Sequence, residues 1–249
     1  MATATDQNPT PQTPPLNSLS QPMSLRGAVL KLVGEYADGK RTCWAKLLSD
    51  TERFACFKAL AADRGARYAT ATLDNFDAES AAQRKVVGSL RELQSSGLAS
   101  IRDGGGIVLF GPEGTGKDHL QFAMLRHAVV ECGYSVLWKD GLRLQDEIRR
   151  AVADGKEPEL RERLREPHIL AISDPLPPIG ELNQWNLGFL RDVLDRRYGD
   201  LKSNWITFNG ATVDDLKPIL QPPLAARLLH EANCFHCNWR SARKPVHCS

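Results

Sequence analysis

Residues 107–118 read IVLFGPEGTGKD and contain the pattern G-x-x-x-x-G-K of a phosphate-binding loop. Ile107 to Phe110 predict a short, wholly apolar strand, and a helix is predicted from Lys117 to Cys132. In such a loop the glycines let successive backbone N–H groups point at phosphates, and the lysine reaches the β- and γ-phosphates. The strand before and the helix after the loop favour a nucleotide site; the alternative is a glycine-rich turn without a ligand. The predicted phosphate-binding residues are Gly111, Pro112, Glu113, Gly114, Thr115, Gly116, Lys117 and Asp118.

The last position of the pattern departs from the rule. Asp118 stands where a Ser or Thr hydroxyl normally ligates Mg²⁺, and a carboxylate so close to phosphates is expected to repel them. A second departure follows the apolar run 169–172, where Ser173 occupies the position of the metal-binding acid and Asp174 that of the water-polarising acid. Two hypotheses are open. Either Asp118 and Ser173 have exchanged roles and hold Mg²⁺ with Asp174, or the site has decayed by two independent losses.

The remaining chain alternates between strand and helix patterns. Strands apolar on both faces predict a parallel sheet covered on both sides, so the predicted fold class is α/β with a phosphate loop. The predicted strands are Ile107–Phe110, Tyr134–Trp138, Ile169–Ser173 and Asn204–Phe208, and Cys234 to Cys237 also reads as a strand. The predicted helices are Glu79–Gln94, Lys117–Cys132, Leu142–Val152, Glu157–Arg165 and Asn183–Leu201.

Three regions are predicted along the chain. Residues 1–22 hold five prolines and one charge, which predicts a disordered tail. Residues 23–66 are predicted to be a small helical region, in which a helix over 51–62 carries Phe54, Phe57 and Leu60 on one side. That apolar side is either core or a surface for docking a partner. Residues 67–249 are predicted to form the nucleotide-binding domain with a short C-terminal segment.

Composition narrows the class of protein further. Among 249 residues, 32 are Lys or Arg and 30 are Asp or Glu, which gives a net charge of +2 and does not indicate nucleic-acid binding by bulk charge. Any such surface must be local, and Arg196-Arg197 and Arg240 to Lys244 are the candidates for contact with a DNA backbone. The sequence lacks an apolar run long enough for a membrane helix and a signal-peptide pattern, so we expect a cytoplasmic protein.

The C-terminal part holds two ambiguous features. Cys234 and Cys237, with His247 or Cys248, could bind zinc, but strand alternation would send the two cysteines to opposite faces. Trp239 beside Arg240 fits stacking on a nucleic-acid base, and it also fits ordinary packing.

The order of these elements resembles the DnaC/IstB-type helicase-loader ATPases of the AAA+ superfamily, over roughly residues 67–244. The residues that carry the resemblance are Ala71 to Phe76, Gly111 to Leu120, Ser173 to Pro175, Asn209, Leu224 to Leu229 and Asn238 to Arg243. The resemblance implies that the chain uses ATP and Mg²⁺ as cofactors and binds single-stranded DNA. It further implies a replicative helicase or a transposase as the protein partner, assembly into a homo-oligomer, and no association with a membrane.

The resemblance also implies roles for single residues. Asp174 would polarise the attacking water, Asn209 would orient it, and Arg227 would be an arginine finger acting on a neighbouring subunit. Arg243 would be a second sensor. From the residues alone, Asn209 could also be a turn residue before Gly210, although the end of the preceding strand favours the sensor role, and Arg227 could equally be a surface residue of an amphipathic helix.

Three functions are consistent with this reading. The chain could be an ATPase that loads a replicative helicase on single-stranded DNA during DNA replication. It could be a transposition helper of the IstB kind with the same core. It could also be a binding module that keeps the fold and has lost turnover, for which Asp118 and Ser173 are the main support.

Overall fold

A computed structural model, which describes residues 46–175, 184–217, 222–230 and 232–242, contains five strands in one parallel sheet. The strands are β1 (Ile107–Phe110), β2 (Val136–Asp140), β3 (Ile169–Ser173), β4 (Ser203–Phe208) and β5 (Asn233–His236). Their order across the sheet is β2-β3-β4-β1-β5, which places the strand before the phosphate loop between β4 and β5. Phe110 at the end of β1 is in register with Phe208 and His236. Because all strands run in the same direction, the segments that follow them meet at one edge of the sheet.

The helices alternate with these strands and cover the sheet. They are α1 (Asp50–Arg64), α2 (Ala81–Ser95), α3 (Ala99–Arg102), α4 (Lys117–Val130), α5 (Gly141–Ala153), α6 (Glu157–Arg165), α7 (Gln184–Gly199) and α8 (Pro222–Leu229). The predicted fold class is confirmed. The predicted bounds of β1, β3 and α6 coincide with those observed.

Two apolar layers explain why the three central strands β3, β4 and β1 are buried on both sides. One layer joins α1, α2 and α4 to the sheet through residues such as Leu60, Leu90 and Phe122. The other joins α5, α6, α7 and α8 to the opposite face through residues such as Ile148 and Phe189. Strands covered in this way need continuous apolar runs rather than alternation, as Ile107 to Phe110 show.

Several predicted boundaries are shifted by one or two residues. The second strand begins at Val136 instead of Tyr134, because the Tyr134 N–H donates to Ala128 O and so closes the preceding helix. That helix ends at Val130, and Gly133 with φ 74° completes the turn. Helix α7 stops at Gly199 rather than at Leu201, whose left-handed backbone with φ 54° ends the helical path.

The N-terminal region is described only from residue 46, so residues 1–22 and most of the predicted helical region lie outside the described residues. Its helix α1 is present and packs on α4 and β2. Leu60 is buried and the Phe57 ring lies 6.4 Å from the Phe122 ring, whereas the Phe54 side chain is 71% exposed. The predicted apolar side of this helix is therefore mainly core. None of the described helices is both long and apolar enough to cross a membrane.

The expectation that Arg197 contacts DNA is wrong. Its side chain is fully buried, and its guanidinium donates to Asn204 Oδ1 at 2.7 Å. The same guanidinium donates to five backbone carbonyls, which belong to Leu164, Arg165, Pro167, His168 and Ser203. Arg197 therefore joins the end of α6 to the start of β4. Arg196 is exposed, as expected.

The cysteine pair is arranged as a strand requires. Cys234 lies in β5 and is exposed, while Cys237 follows the strand and is buried. Burial raises the pKa of the Cys237 thiol to about 12, which opposes the thiolate that zinc needs. No cluster of three or more potential metal ligands occurs within the described ranges, and His247 and Cys248 lie outside them.

Candidate nucleotide-binding site

A cleft of about 410 Å³ lies at the carboxyl edge of the sheet, where the phosphate loop follows β1. The loop contributes Glu113, Gly114, Gly116, Lys117 and Asp118 to its lining. Asp174 after β3 and Asn209 after β4 complete this side of the cleft. Small-molecule sites in proteins have volumes of this order and often occupy this edge of a parallel sheet.

The loop conformation depends on glycine at two close approaches. A Cβ on Gly111 would lie 2.5 Å from Cys237 O, so the chain end after β5 leaves no room for a side chain. Gly116 has φ 88°, and a Cβ there would lie 2.7 Å from Cε2 of Phe76. Thr115 Oγ1 donates to Pro112 O at 3.0 Å and closes the loop internally. The glycines that defined the motif are thus required by the local packing.

Lys117 joins the loop to the end of a neighbouring strand. Its Nζ donates to Gly111 O at 2.9 Å, to Pro112 O at 2.8 Å and to Asn209 Oδ1 at 2.8 Å. Burial lowers the pKa of this ammonium, and the charge of Asp174 opposes that effect. The cation is therefore held at the cleft, at the N-terminal end of α4, where an anion is favoured.

Asp118 has polar partners on both carboxylate oxygens. The Ser173 hydroxyl donates to its Oδ1 at 2.6 Å, and the Thr207 hydroxyl lies 3.4 Å from the same oxygen. Its Oδ2 lies 2.6 Å from Nη2 of Arg64, at the end of α1. That contact is an ion pair rather than an aligned hydrogen bond. The structure therefore brings Asp118 and Ser173 together and adds a cation to them.

Arg64 is the site residue that sequence analysis missed. Its guanidinium lies over two aromatic rings, with Cζ 4.1 Å from the centroid of Tyr68 and 4.5 Å from that of Trp138. The side chain is 10% exposed. In the sequence, an arginine at the end of a helix indicates only a favourable contact with the helix dipole. Its role depends on a partner in another element, which no local pattern shows.

Asp174 is a half-buried carboxyl group with an unusual backbone. Its φ is 47°, and its N–H donates to Thr207 O at 2.8 Å, which fixes the turn after β3. Burial raises its pKa to about 6, and the charge of Asp118 adds to the rise. A carboxyl group with a pKa near neutrality can exchange a proton at physiological pH, which suits an acid or base.

Both carboxylate oxygens of Asp118 are engaged by protein groups, which disfavours a direct bond from Asp118 to Mg²⁺. Oδ1 of Asp118 accepts hydroxyl groups, and its Oδ2 is paired with a guanidinium. The prediction that Asp118, Ser173 and Asp174 hold Mg²⁺ therefore stays a prediction, and no contact of these residues supports it.

The other predicted site residues occupy different places. Asn209 lines the cleft and its Oδ1 accepts a hydrogen bond from Lys117 Nζ, and its role in orienting water stays a prediction. Arg227 does not line its own chain's cleft; it pairs with Asp195 of α7. Arg243 lies outside the described residues.

The segment after β5 packs on the phosphate loop. Trp239 Nε1 donates to Thr115 O at 2.8 Å, and the Ala242 N–H donates to Gly114 O at 3.0 Å. The Trp239 ring lies 6.4 Å from the ring of Phe76, which itself lies 5.4 Å from His119. Trp239 is therefore a packed residue in this structure, which favours the packing interpretation over base stacking.

Comparison with known proteins gives a family and a fold. The profile of the family described as "IstB-like ATP binding protein" matches residues 51–247. No curated protein matches the chain significantly. Solved structures with the same fold include the DnaC helicase loader, with a TM-score of 0.62 and 21% identity over 69% of this chain and 99% of that one.

Two further structures are similar. DnaI has a TM-score of 0.57 and 15% identity over 67% of this chain and 90% of that one. DnaA from Aquifex aeolicus bound to AMPPCP has a TM-score of 0.54 and 19% identity over 69% of this chain and 50% of that one. This chain thus spans about half the length of DnaA. At these identities the likeness shows the AAA+ fold of the chain.

Proposed function

Since this chain belongs to the family of IstB-like ATP binding proteins, we propose that it loads a replicative helicase on single-stranded DNA in an ATP-dependent manner. The main support for ATP binding is the position of the Lys117 ammonium. Lys117 Nζ is held between the loop carbonyls and Asn209, at the N-terminal end of a helix and inside a cleft of nucleotide-accommodating size.

The phosphates of ATP would bind in the loop. Backbone N–H groups of residues 113–117 and the N-terminal end of α4 provide partial positive charge, and Lys117 provides a full one. Asp174, with a pKa of about 6, would polarise the attacking water, and Asn209 would orient it. Because Arg227 lies away from its own cleft, its proposed action as an arginine finger requires a neighbouring subunit and hence a homo-oligomer. These roles together make turnover of ATP part of the proposal.

The partner part of the proposal is supported by the structures that share this fold. The fold covers 99% of the DnaC helicase loader, and a DnaA of the same fold has been solved with AMPPCP and single-stranded DNA. We propose the cytoplasm as the place of action and residues 23–66 as the region that docks the helicase. An IstB-like transposition helper has the same core, so a transposase is the competing partner.

Nucleotide binding is tested first, by titrating the full chain with a fluorescent ATP analogue. Lys117→Met keeps the apolar stem and removes the ammonium, so we expect affinity to fall at least about tenfold. Lys85→Met, on the exposed side of α2, is the matched control and should bind like the wild type. Equal affinity of the wild type and Lys117→Met would contradict a phosphate site at this loop.

The loading function is tested with the purified replicative helicase of the same organism and circular single-stranded DNA. We expect the helicase to be retained on the circle when this chain and ATP are both present, and Lys117→Met to abolish retention. Retention that does not depend on this chain, or stable binding to a transposase without binding to the helicase, would refute loading and favour the transposition helper.

A further inference from the structure

The nucleotide site contains a cation of its own beside the carboxylate that departs from the motif. Asp118 would repel phosphates if its charge were free. Its Oδ2 lies 2.6 Å from Nη2 of Arg64, and among the described residues no other carboxylate lies within ion-pair distance of Arg64. The negative charge at position 118 is therefore compensated before any ligand is considered.

Arg64 is held rigidly in this position. Its guanidinium makes cation–π contacts with two rings, since Cζ lies 4.1 Å from the centroid of Tyr68 and 4.5 Å from that of Trp138. The side chain is 10% exposed, which strengthens its pairing because little water screens the charges. Tyr68 and Asp118, which both contact the Arg64 guanidinium, line the nucleotide cleft. Lysine could not replace it, because an ammonium lacks the flat face that stacks.

The other carboxylate oxygen of Asp118 faces the hydroxyl groups of Ser173 and Thr207. Ser173 donates to Asp118 Oδ1 at 2.6 Å and lies 3.0 Å from the Thr207 hydroxyl. In the usual loop, a hydroxyl at 118 and a carboxylate at 173 face one Mg²⁺ ion between them. Here the carboxylate is at 118, the hydroxyl is at 173, and the charge that faces the carboxylate comes from a side chain of α1.

We propose that Arg64 is a built-in counter-cation of the nucleotide site, so that this protein binds nucleoside triphosphates without Mg²⁺. The inference rests on the proposed function at the same cleft. Arg64 acts through Asp118 and is therefore a positioning residue, and its effect is on binding in the absence of metal rather than on any reaction step.

The test is an equilibrium titration of the full chain with a fluorescent ATP analogue, in excess EDTA and in Mg²⁺. We expect wild-type dissociation constants within about threefold of each other, because the charge at 118 is already compensated. Arg64→Gln should weaken binding in EDTA at least about tenfold, and Mg²⁺ should restore part of the loss. Arg91→Gln, an exposed arginine of α2 that also pairs with an aspartate, is the matched control and should bind like the wild type.

A second variant keeps the test valid if Arg64→Gln does not fold. Asp118→Asn preserves the size of the side chain and frees the charge of Arg64 for the phosphates, so binding in EDTA should tighten about threefold or more. Circular dichroism and thermal melting establish that each variant is folded.

The outcomes separate the two proposals. The counter-cation proposal is refuted if the wild type binds the analogue more than about tenfold more weakly in EDTA than in Mg²⁺. It is also refuted if Arg64→Gln and the wild type have the same dissociation constant in EDTA. Both results leave the nucleotide site in place. Weaker binding of Asp118→Asn in EDTA overturns the counter-cation proposal too. Absence of nucleotide binding in both conditions refutes the nucleotide site itself, and with it this inference.

Discussion

Asp174→Asn is expected to stabilise the protein, because the native carboxyl group is ionised in an unfavourable environment. Burial and the charge of Asp118 raise its pKa from 3.8 to about 6. For a fully buried group a difference of that size corresponds to about 3 kcal/mol at neutral pH. The Asp174 side chain keeps contact with water, so we expect about 1 kcal/mol from the substitution.

The dependence on pH gives this prediction its sign. The folded protein holds the proton more tightly than the unfolded chain, so stability falls as the pH rises from about 4 to about 6. Above about pH 6 the ionised carboxylate destabilises the folded protein by the full amount, and below about pH 4 the carboxyl group is protonated and does not destabilise it. The asparagine variant, which cannot ionise, should therefore be more stable by the full amount at pH 7.5 and by about half of it at pH 5.

Urea unfolding at pH 7.5 and pH 5, followed by far-UV circular dichroism, measures the difference between the two proteins. Asp77→Asn is the control, because Asp77 is an exposed aspartate outside the cleft and its substitution should leave the midpoint nearly unchanged. A variant that is less stable than the wild type at pH 7.5, or a difference that grows as the pH falls, would refute the argument.

Three further substitutions test packing around the site and the sheet. Arg197→Met leaves five carbonyls and Asn204 Oδ1 without their donor, so the free energy of unfolding should fall by at least about 3 kcal/mol; an unchanged urea midpoint would contradict this. Gly111→Ala places a Cβ 2.5 Å from Cys237 O, so the free energy of unfolding, measured by thermal melting, should fall by about 2 kcal/mol. An unchanged melting temperature would show that the segment after β5 can move aside. Trp239→Phe keeps an aromatic ring beside Phe76 but loses the hydrogen bond to Thr115 O, which costs about 1 kcal/mol. Faster amide hydrogen exchange in residues 111–117 is its expected readout, and wild-type exchange rates there would speak against the bond.

Local patterns were sufficient for most of the architecture. The apolar runs at Ile107–Phe110 and Ile169–Ser173 are buried on both faces, so sequence alone predicts them as parallel strands. The loop glycines and Lys117 could also be predicted, since their roles follow from positions adjacent in the chain. The start of β2 was misplaced because the turn that closes α4 extends to Tyr134 through backbone hydrogen bonds, which carry no side-chain signature.

Arginines account for the main errors at the site and in the core. Arg64 and Arg197 both stand in helical segments beside polar residues, where a pattern predicts solvent contact. In the structure Arg64 lies over two aromatic rings, and Arg197 donates hydrogen bonds to carbonyl groups from three segments. Such burial depends on partners that are distant in the chain, so composition and periodicity cannot reveal it.

The attachment of the chain end to the phosphate loop has a consequence for communication across the molecule. Trp239 and Ala242 bind the carbonyl oxygens of Thr115 and Gly114, so the loop conformation and the position of the segment after β5 are thermodynamically linked. Linkage is reciprocal: a ligand that reshapes the loop changes the affinity of a partner for that segment by the same factor as the partner changes the affinity of the ligand. The two hydrogen bonds are the contacts through which such linkage between the cleft and the segment after β5 would act.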